Sequence, residues 1–133
     1  MSKLGCKCGY VIVDQTDSLP YKARLLRDEA EEAYWREFER QIKTFVAAVE
    51  AGDKACYVAE YGTHSPWIKS SDLLINRLSS IQAHHETTIY ECKGCGRLWL
   101  QKPDSKQFVS YTSEENEYRA ILAAASGDGD QID

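Results

Sequence analysis

The chain has 133 residues, 43% of them hydrophobic, with eight tyrosines, three tryptophans and a formal net charge of −5. That length and composition suit a folded domain with a real core and exclude a disordered chain. The acidic balance argues against a nucleic-acid binder, which needs a basic face for phosphates, and it favours a basic protein partner.

In chain order, "MSKLGCKCGY" holds no apolar run of signal-peptide length, and no window approaches a membrane span. The expectation is a cytoplasmic protein that does not engage a membrane. In that reducing compartment, close cysteine pairs are read first as metal ligands. Gly9–Val13 predicts a strand, closed by the turn-rich "DQTDSLP", and "YKARLL" alternates like a half-exposed second strand. Asp28 and Glu31 have capping-box spacing, predicting a helix that stops at Gly52. Its apolar positions are Ala30, Tyr34, Phe38, Ile42, Phe45 and Val49, against a charged face with Glu32, Arg36, Glu39, Arg40 and Lys43. "ACYVAEY" reads as a short strand and "GTHSPW" as a loop. A second helix is predicted over Ser71–Gln82, with Leu74, Leu78 and Ile81 inward. "ETTIYEC" and "RLWLQ" are strands flanking a cysteine pair, "KPDSKQ" is a turn and "FVSY" an edge strand. Thr112 with Glu115 predicts a third helix through Tyr118, Ile121 and Leu122. The fold class is therefore α+β, with about three helices and a small antiparallel sheet. A single domain is expected over 1–125, followed by a flexible acidic tail at 126–133.

The chemistry lies in the repeated "CKCG" and "CKGCG". Cys6 and Cys8 form one close pair, and Cys92 and Cys95 another, each followed by a glycine. Two neighbouring thiolates can occupy two corners of a tetrahedron only if the chain turns tightly. Glycine permits that turn and lets backbone N–H groups face sulfur. Two such knuckles complete a closed four-cysteine site for a structural Zn2+, which would staple the two ends of the fold. Four free thiols is the alternative. A redox pair is disfavoured, because strand-like residues rather than a helix follow the C-x-x-C. Cys56 reads as a small buried hydrophobe, with a substitute-ligand role held open.

No nucleophile motif or phosphate-binding loop is present, so the chain is read as a non-enzyme. A hydrolase using His64, or the pair His84 and His85, is the catalytic alternative. The aromatics among acids suggest a protein-binding surface instead. Glu32, Trp35 and Glu39 on the long helix rank first, and Tyr61 and Trp67 near the central loop second.

The two cysteine motifs resemble those of small bacterial proteins with an early C-x-C-G and a late Y-x-C-x-x-C-G-R-L-W, and more broadly zinc-ribbon halves. The resemblance covers about twenty residues. It implies a structural metal held by Cys6, Cys8, Cys92 and Cys95, and no activity. Zinc ribbons serve transcription, translation and protein assembly, which keeps an accessory factor for nucleic-acid machinery as an alternative. The leading expectation is an immunity or antitoxin-type inhibitor of a basic, toxin-like protein.

Overall fold

The computed structural model describes residues 2–61 and 68–125. They form two compact units, residues 1–25 with 87–133, and residues 26–86. Among the described residues the fold is α+β, with three helices and two small antiparallel sheets. The expected fold class is what the structure shows.

The first unit carries the sheets. Strands β1 (Ser2–Gly5) and β2 (Val11–Asp14) form an antiparallel hairpin, with Leu4 opposite Ile12. The larger sheet has the order β3 (Lys22–Leu26), β4 (Glu86–Glu91), β5 (Leu98–Gln101), β6 (Phe108–Tyr111). Strand alternation puts Leu4 and Ile12 on one face of the hairpin, and Tyr90, Trp99 and Phe108 on one face of the larger sheet. These faces pack on each other around Cys6 and Cys92. Polar groups tie the same layers together. Tyr90 donates its hydroxyl to Asp14 (2.5 Å), Lys22 pairs with Asp14 (2.6 Å), and the Tyr21 hydroxyl donates to the Val13 carbonyl. The sequence reading has no strand at β1, because in "SKLG" Leu4 is the single apolar residue and no alternation marks it.

The second unit holds α1 (Asp28–Glu50), α2 (Lys54–Tyr61) and α3 (Ser70–His85). α1 starts and ends by different means. The residue before its first turn is Arg27, and no side chain caps it, so the predicted capping box does not form. Asp28, Glu29 and Glu31 instead place negative charge at the positive end of the helix dipole. The stop at Gly52 is as expected. Gly52 takes φ +71°, its N–H donates to the Val49 carbonyl, and the Asp53 N–H reaches back to Ala48.

The buried side of α1 corrects the predicted one. Tyr34 and Gln41 are buried, while Ile42 and Val49 are each 43% exposed. The physical reason is geometric. Steps of four residues advance about 40° beyond a full turn at 3.6 residues per turn, so a four-spaced row winds off the core face. Gln41 is accommodated because Arg77 Nε donates to its amide oxygen at 2.7 Å. Phe45 meets Tyr57 edge-on at 5.4 Å, and Tyr34 packs against Phe38 at 4.8 Å. In α3, Leu73 is the buried residue, with Leu74, Leu78 and Ile81 half-buried beside it.

Two segments adopt another structure than predicted. "ACYVAEY" is helical, because capping by Asp53 (Oδ1 accepts the Cys56 N–H at 3.3 Å) starts a turn that delivers Tyr57 to Phe45. Residues 112–125 form turns instead of a helix, with Asn116 and Ala120 at φ +54° and +55°. Tertiary contacts override the local signal there: the Arg119 N–H donates to the buried carboxylate of Glu91 at 3.1 Å. The tail predicted flexible at 126–133 lies outside the described residues.

His85 Nε2 hydrogen-bonds Glu37, and this bond, with the charges of His85, His84 and Arg40, holds the Glu37 carboxyl below its ordinary range against desolvation. A depressed folded pKa means the contribution is present above the unfolded value of about 4.3 and is lost as pH falls through the folded one. The stability gap between the wild type and Glu37→Gln, from denaturant melts followed by circular dichroism, should therefore shrink below about pH 4. A gap unchanged by acidification would contradict this.

Candidate metal centre

The two knuckles are built by the same backbone device. In the first, the Cys6 N–H donates to the Tyr10 carbonyl (2.8 Å) and the Gly9 N–H to the Cys6 carbonyl (3.0 Å). In the second, the Cys92 N–H donates to Arg97 (2.8 Å) and the Gly96 N–H to Cys92 (2.8 Å). Both glycines have positive φ, +97° at Gly9 and +81° at Gly96, as their position after the second cysteine predicts. The C-x-C pair is thus the C-x-x-C turn made one residue shorter. Gly94 fills a further role that the sequence did not announce. A Cβ there would stand 3.2 Å from Cys8 Sγ and 3.0 Å from Tyr10 Cβ, so the bare backbone lets the knuckles close on each other.

The four sulfurs converge. Cys6, Cys8, Cys92 and Cys95 place their Sγ atoms all within 4.8 Å of one another, a set that could hold a metal ion. Two contacts cross between knuckles, Cys6 to Cys95 at 3.6 Å and Cys8 to Cys92 at 3.5 Å. A tetrahedral ion with metal–sulfur bonds of about 2.3 Å has sulfur–sulfur edges of about 3.8 Å, close to these values. A disulfide would need about 2.05 Å, and all four cysteines are free.

The surroundings suit thiolates. The Gly94 N–H donates to Cys92 Sγ at 3.3 Å, and the Arg97 guanidinium to Cys95 Sγ at 3.2 Å. Burial opposes charge on Cys6, but the Cys8 N–H and the neighbouring Trp99, Cys92 and Cys95 outweigh it and bring its thiol down to about 6. The Trp99 indole N–H makes no conventional hydrogen bond among the described residues, so it acts on Cys6 as a more distant dipole. Cys92, fully buried, is pushed by burial up to about 12, against the Gly94 and Cys95 N–H groups. Four thiolates so close cannot all ionise unaided. A divalent cation among them would remove that conflict.

The chain belongs to the DUF8617 family. This family is described as a domain of unknown function, and its match spans residues 2–115, including both knuckles. The clustered cysteines are consistent with a zinc-ribbon-like site in it. No curated protein and no solved structure matches the chain.

The other candidate residues are placed elsewhere. Cys56 is exposed on α2 and is not in the sulfur cluster, which corrects both the buried reading and the substitute-ligand one. Its helical position points it away from a core that Tyr57 occupies. His84 is exposed, while the ring of His85 packs edge-on against Tyr34 at 5.8 Å. His64 and Trp67 lie outside the described residues, and Tyr61 is the last residue of α2. Trp35 is 55% exposed on an open, mostly acidic patch of α1 that also carries Asp28, Glu31, Glu32, Arg36 and Glu39. Among the described residues, no helix is long and apolar enough to cross a membrane.

Proposed function

We propose that the chain is a zinc-stapled, non-catalytic protein of the cytoplasm that works by stoichiometric binding to a basic protein. The specific reading is an immunity or antitoxin-type inhibitor masking a bacterial toxin. Zinc is the proposed ion because four thiolates at tetrahedral spacing suit a single soft-to-borderline cation. A multi-iron cluster would hold its thiolates on separate irons, further apart. Cys6, Cys8, Cys92 and Cys95 would take every corner and leave no open position for substrate, so the metal's role is to hold the fold. Elemental analysis of protein purified without chelator should find about one zinc per chain, with zinc–sulfur distances near 2.3 Å by X-ray absorption. A content below about a tenth of an equivalent of any metal would remove this part of the reading.

The observation that carries the binding role is Trp35, a large aromatic left exposed among carboxylates on the open surface of α1. Exposed tryptophan is a frequent interface anchor, and the surrounding acids would steer a basic partner. Two of these acids are not needed for folding: among the described residues, Glu32 and Glu39 make only i,i+4 ion pairs with Arg36 (3.2 Å) and Lys43 (2.9 Å) at the surface. A pull-down with mass spectrometry should return a basic partner whose association slows as salt rises. Reversing charge at Glu32 and Glu39 should weaken the complex and leave the melting temperature unchanged. Trp35→Ala should cost about 2 kcal/mol of binding or more. An acidic partner, or a complex indifferent to ionic strength, would sink the electrostatic basis. Substrate turnover lost in His64→Ala with the fold intact would replace inhibition by catalysis.

A further inference from the structure

The two sheets of the first unit enclose a core that changes character along its length. At one end stand Cys6, Cys92 and Cys95 with Ile12, Tyr90 and Trp99. Two residues further along each strand, on the same inward face, the side chains become polar: Ser2 on β1, Asp14 on β2, Thr88 on β4 and Gln101 on β5. Inward positions of packed sheets are normally apolar. Asp14 and Gln101 serve the fold, Asp14 through Tyr90 and Lys22, and Gln101 by accepting the Thr88 N–H (2.9 Å) and donating to the Ser105 carbonyl (2.7 Å), so the Ser2 and Thr88 hydroxyls are the polar groups left to a ligand. These four residues line a cavity of about 410 Å³, in the size range of small-ligand sites. Leu4, Ile12, Tyr90 and Phe108 supply its apolar wall, with the Tyr90 and Phe108 rings 5.6 Å apart.

The charges at this cavity depart from those of the chain as a whole. Its one acid, Asp14, is already neutralised by Lys22 and hydrogen-bonded by Tyr90. Lys3 and Lys106 also line it, from β1 and from the turn between β5 and β6; both are exposed, and neither has an ion-pair partner among the described residues. Lys3 alternates to the opposite face of β1 from Leu4, so its ammonium would reach an anion in the cavity round the strand edge on its long stem, as that of Lys106 would from the turn. We propose that this cavity binds a small, planar, anionic ligand, its ring against Tyr90 and Phe108 and its carboxylate or phosphate between Lys3 and Lys106. The Thr88 and Ser2 hydroxyls supply hydrogen bonds to the ring's polar atoms. This site is separate from the acidic patch of α1 and does not depend on the inhibitor reading.

The test is a titration of the zinc-loaded, 15N-labelled full chain by NMR with three probes: adenosine monophosphate for a phosphate, salicylate for a carboxylate, and uncharged adenosine. At least one anion should give saturable shifts confined to β1, β2, β4, β5 and β6, and the stronger anion names the source. Adenosine should bind about tenfold more weakly than its monophosphate if the phosphate is the recognised group. The double variant Lys3→Glu with Lys106→Glu changes only exposed positions and should lower the anion's affinity about tenfold at unchanged melting temperature. Thr88→Leu, which replaces the polar end by apolar bulk, should also abolish saturation. Neither anion saturating by about 5 mM would overturn the proposal, as would shifts mapping to the helices, or undiminished binding by the lysine variant.

Discussion

Replacing Cys95 by serine should unfold the sheet-bearing unit, while Cys56→Ser should change little. Cys95 is one of four sulfurs within 4.8 Å, contacts Cys6 at 3.6 Å and takes the Arg97 guanidinium. A structural zinc supplies roughly 10–16 kcal/mol of apparent binding free energy in small peptides at neutral pH. That matches or exceeds the net stability of a whole domain, roughly 5–15 kcal/mol. The unit's buried residues are few, and Cys6 and Cys92 are themselves part of its apolar cluster. Loss of the ion would therefore loosen Ile12, Tyr90 and Trp99 together. Near-ultraviolet circular dichroism and β-strand amide dispersion should collapse, with most of the helical signal of α1 and α3 retained. Chelation of the wild type should reproduce this result. Cys56, exposed on α2, should cost within about 0.5 kcal/mol. Equal thermal shifts for the two serine variants would contradict the assignment of the ligands.

Gly96→Ala should be the most damaging change at a residue that contributes no side chain. Gly96 sits at φ +81°, where an L side chain is strained by about 1–2 kcal/mol. Its Cβ would also stand 2.0 Å from the Glu117 carbonyl oxygen and 2.5 Å from that carbonyl carbon. Backbone atoms cannot swing aside as a side-chain tip can. Either the second knuckle must open or the 112–121 segment must lift from Glu91, whose carboxylate holds the Arg119 N–H. Overpacking typically adds about 1–3 kcal/mol, for a combined loss of about 3 kcal/mol. Gly9→Ala is the internal control: its φ is +97°, but nothing lies within 4 Å of the added Cβ, so it carries strain without collision. Denaturant melts should rank Gly96→Ala well below Gly9→Ala, with zinc bound more weakly by the former. Equal losses would mean the close approach of Glu117 is not important to the knuckle.

What could be read from the sequence was whatever a short stretch of chain encodes on its own. The cysteine pairs and their glycines specify two tight turns locally, and those turns formed with the expected positive φ. Periodicity over 23 residues carried α1, and Gly52 carried its stop. Alternation carried β3 and β4, and short apolar runs carried β5 and β6. The remaining features depend on residues distant in sequence. Which face of α1 is buried was decided by Tyr57, Arg77 and His85 arriving from α2 and α3, and they favour Tyr34 and Gln41 over Ile42. The helix signal after Thr112 lost because Glu91 accepts the Arg119 N–H and the bare backbone of Gly96 lets Glu117 come close. The weak strand signal at Cys56 lost because Phe45 offered Tyr57 a helical packing site. Local propensities differ by less than about 1 kcal/mol per residue, so one buried ring or one hydrogen bond to a buried carboxylate is enough to reverse them. The metal centre stands between these cases: each half is local, but only the packing of β1 and β2 on the larger sheet brings Cys6 and Cys8 within bonding reach of Cys92 and Cys95.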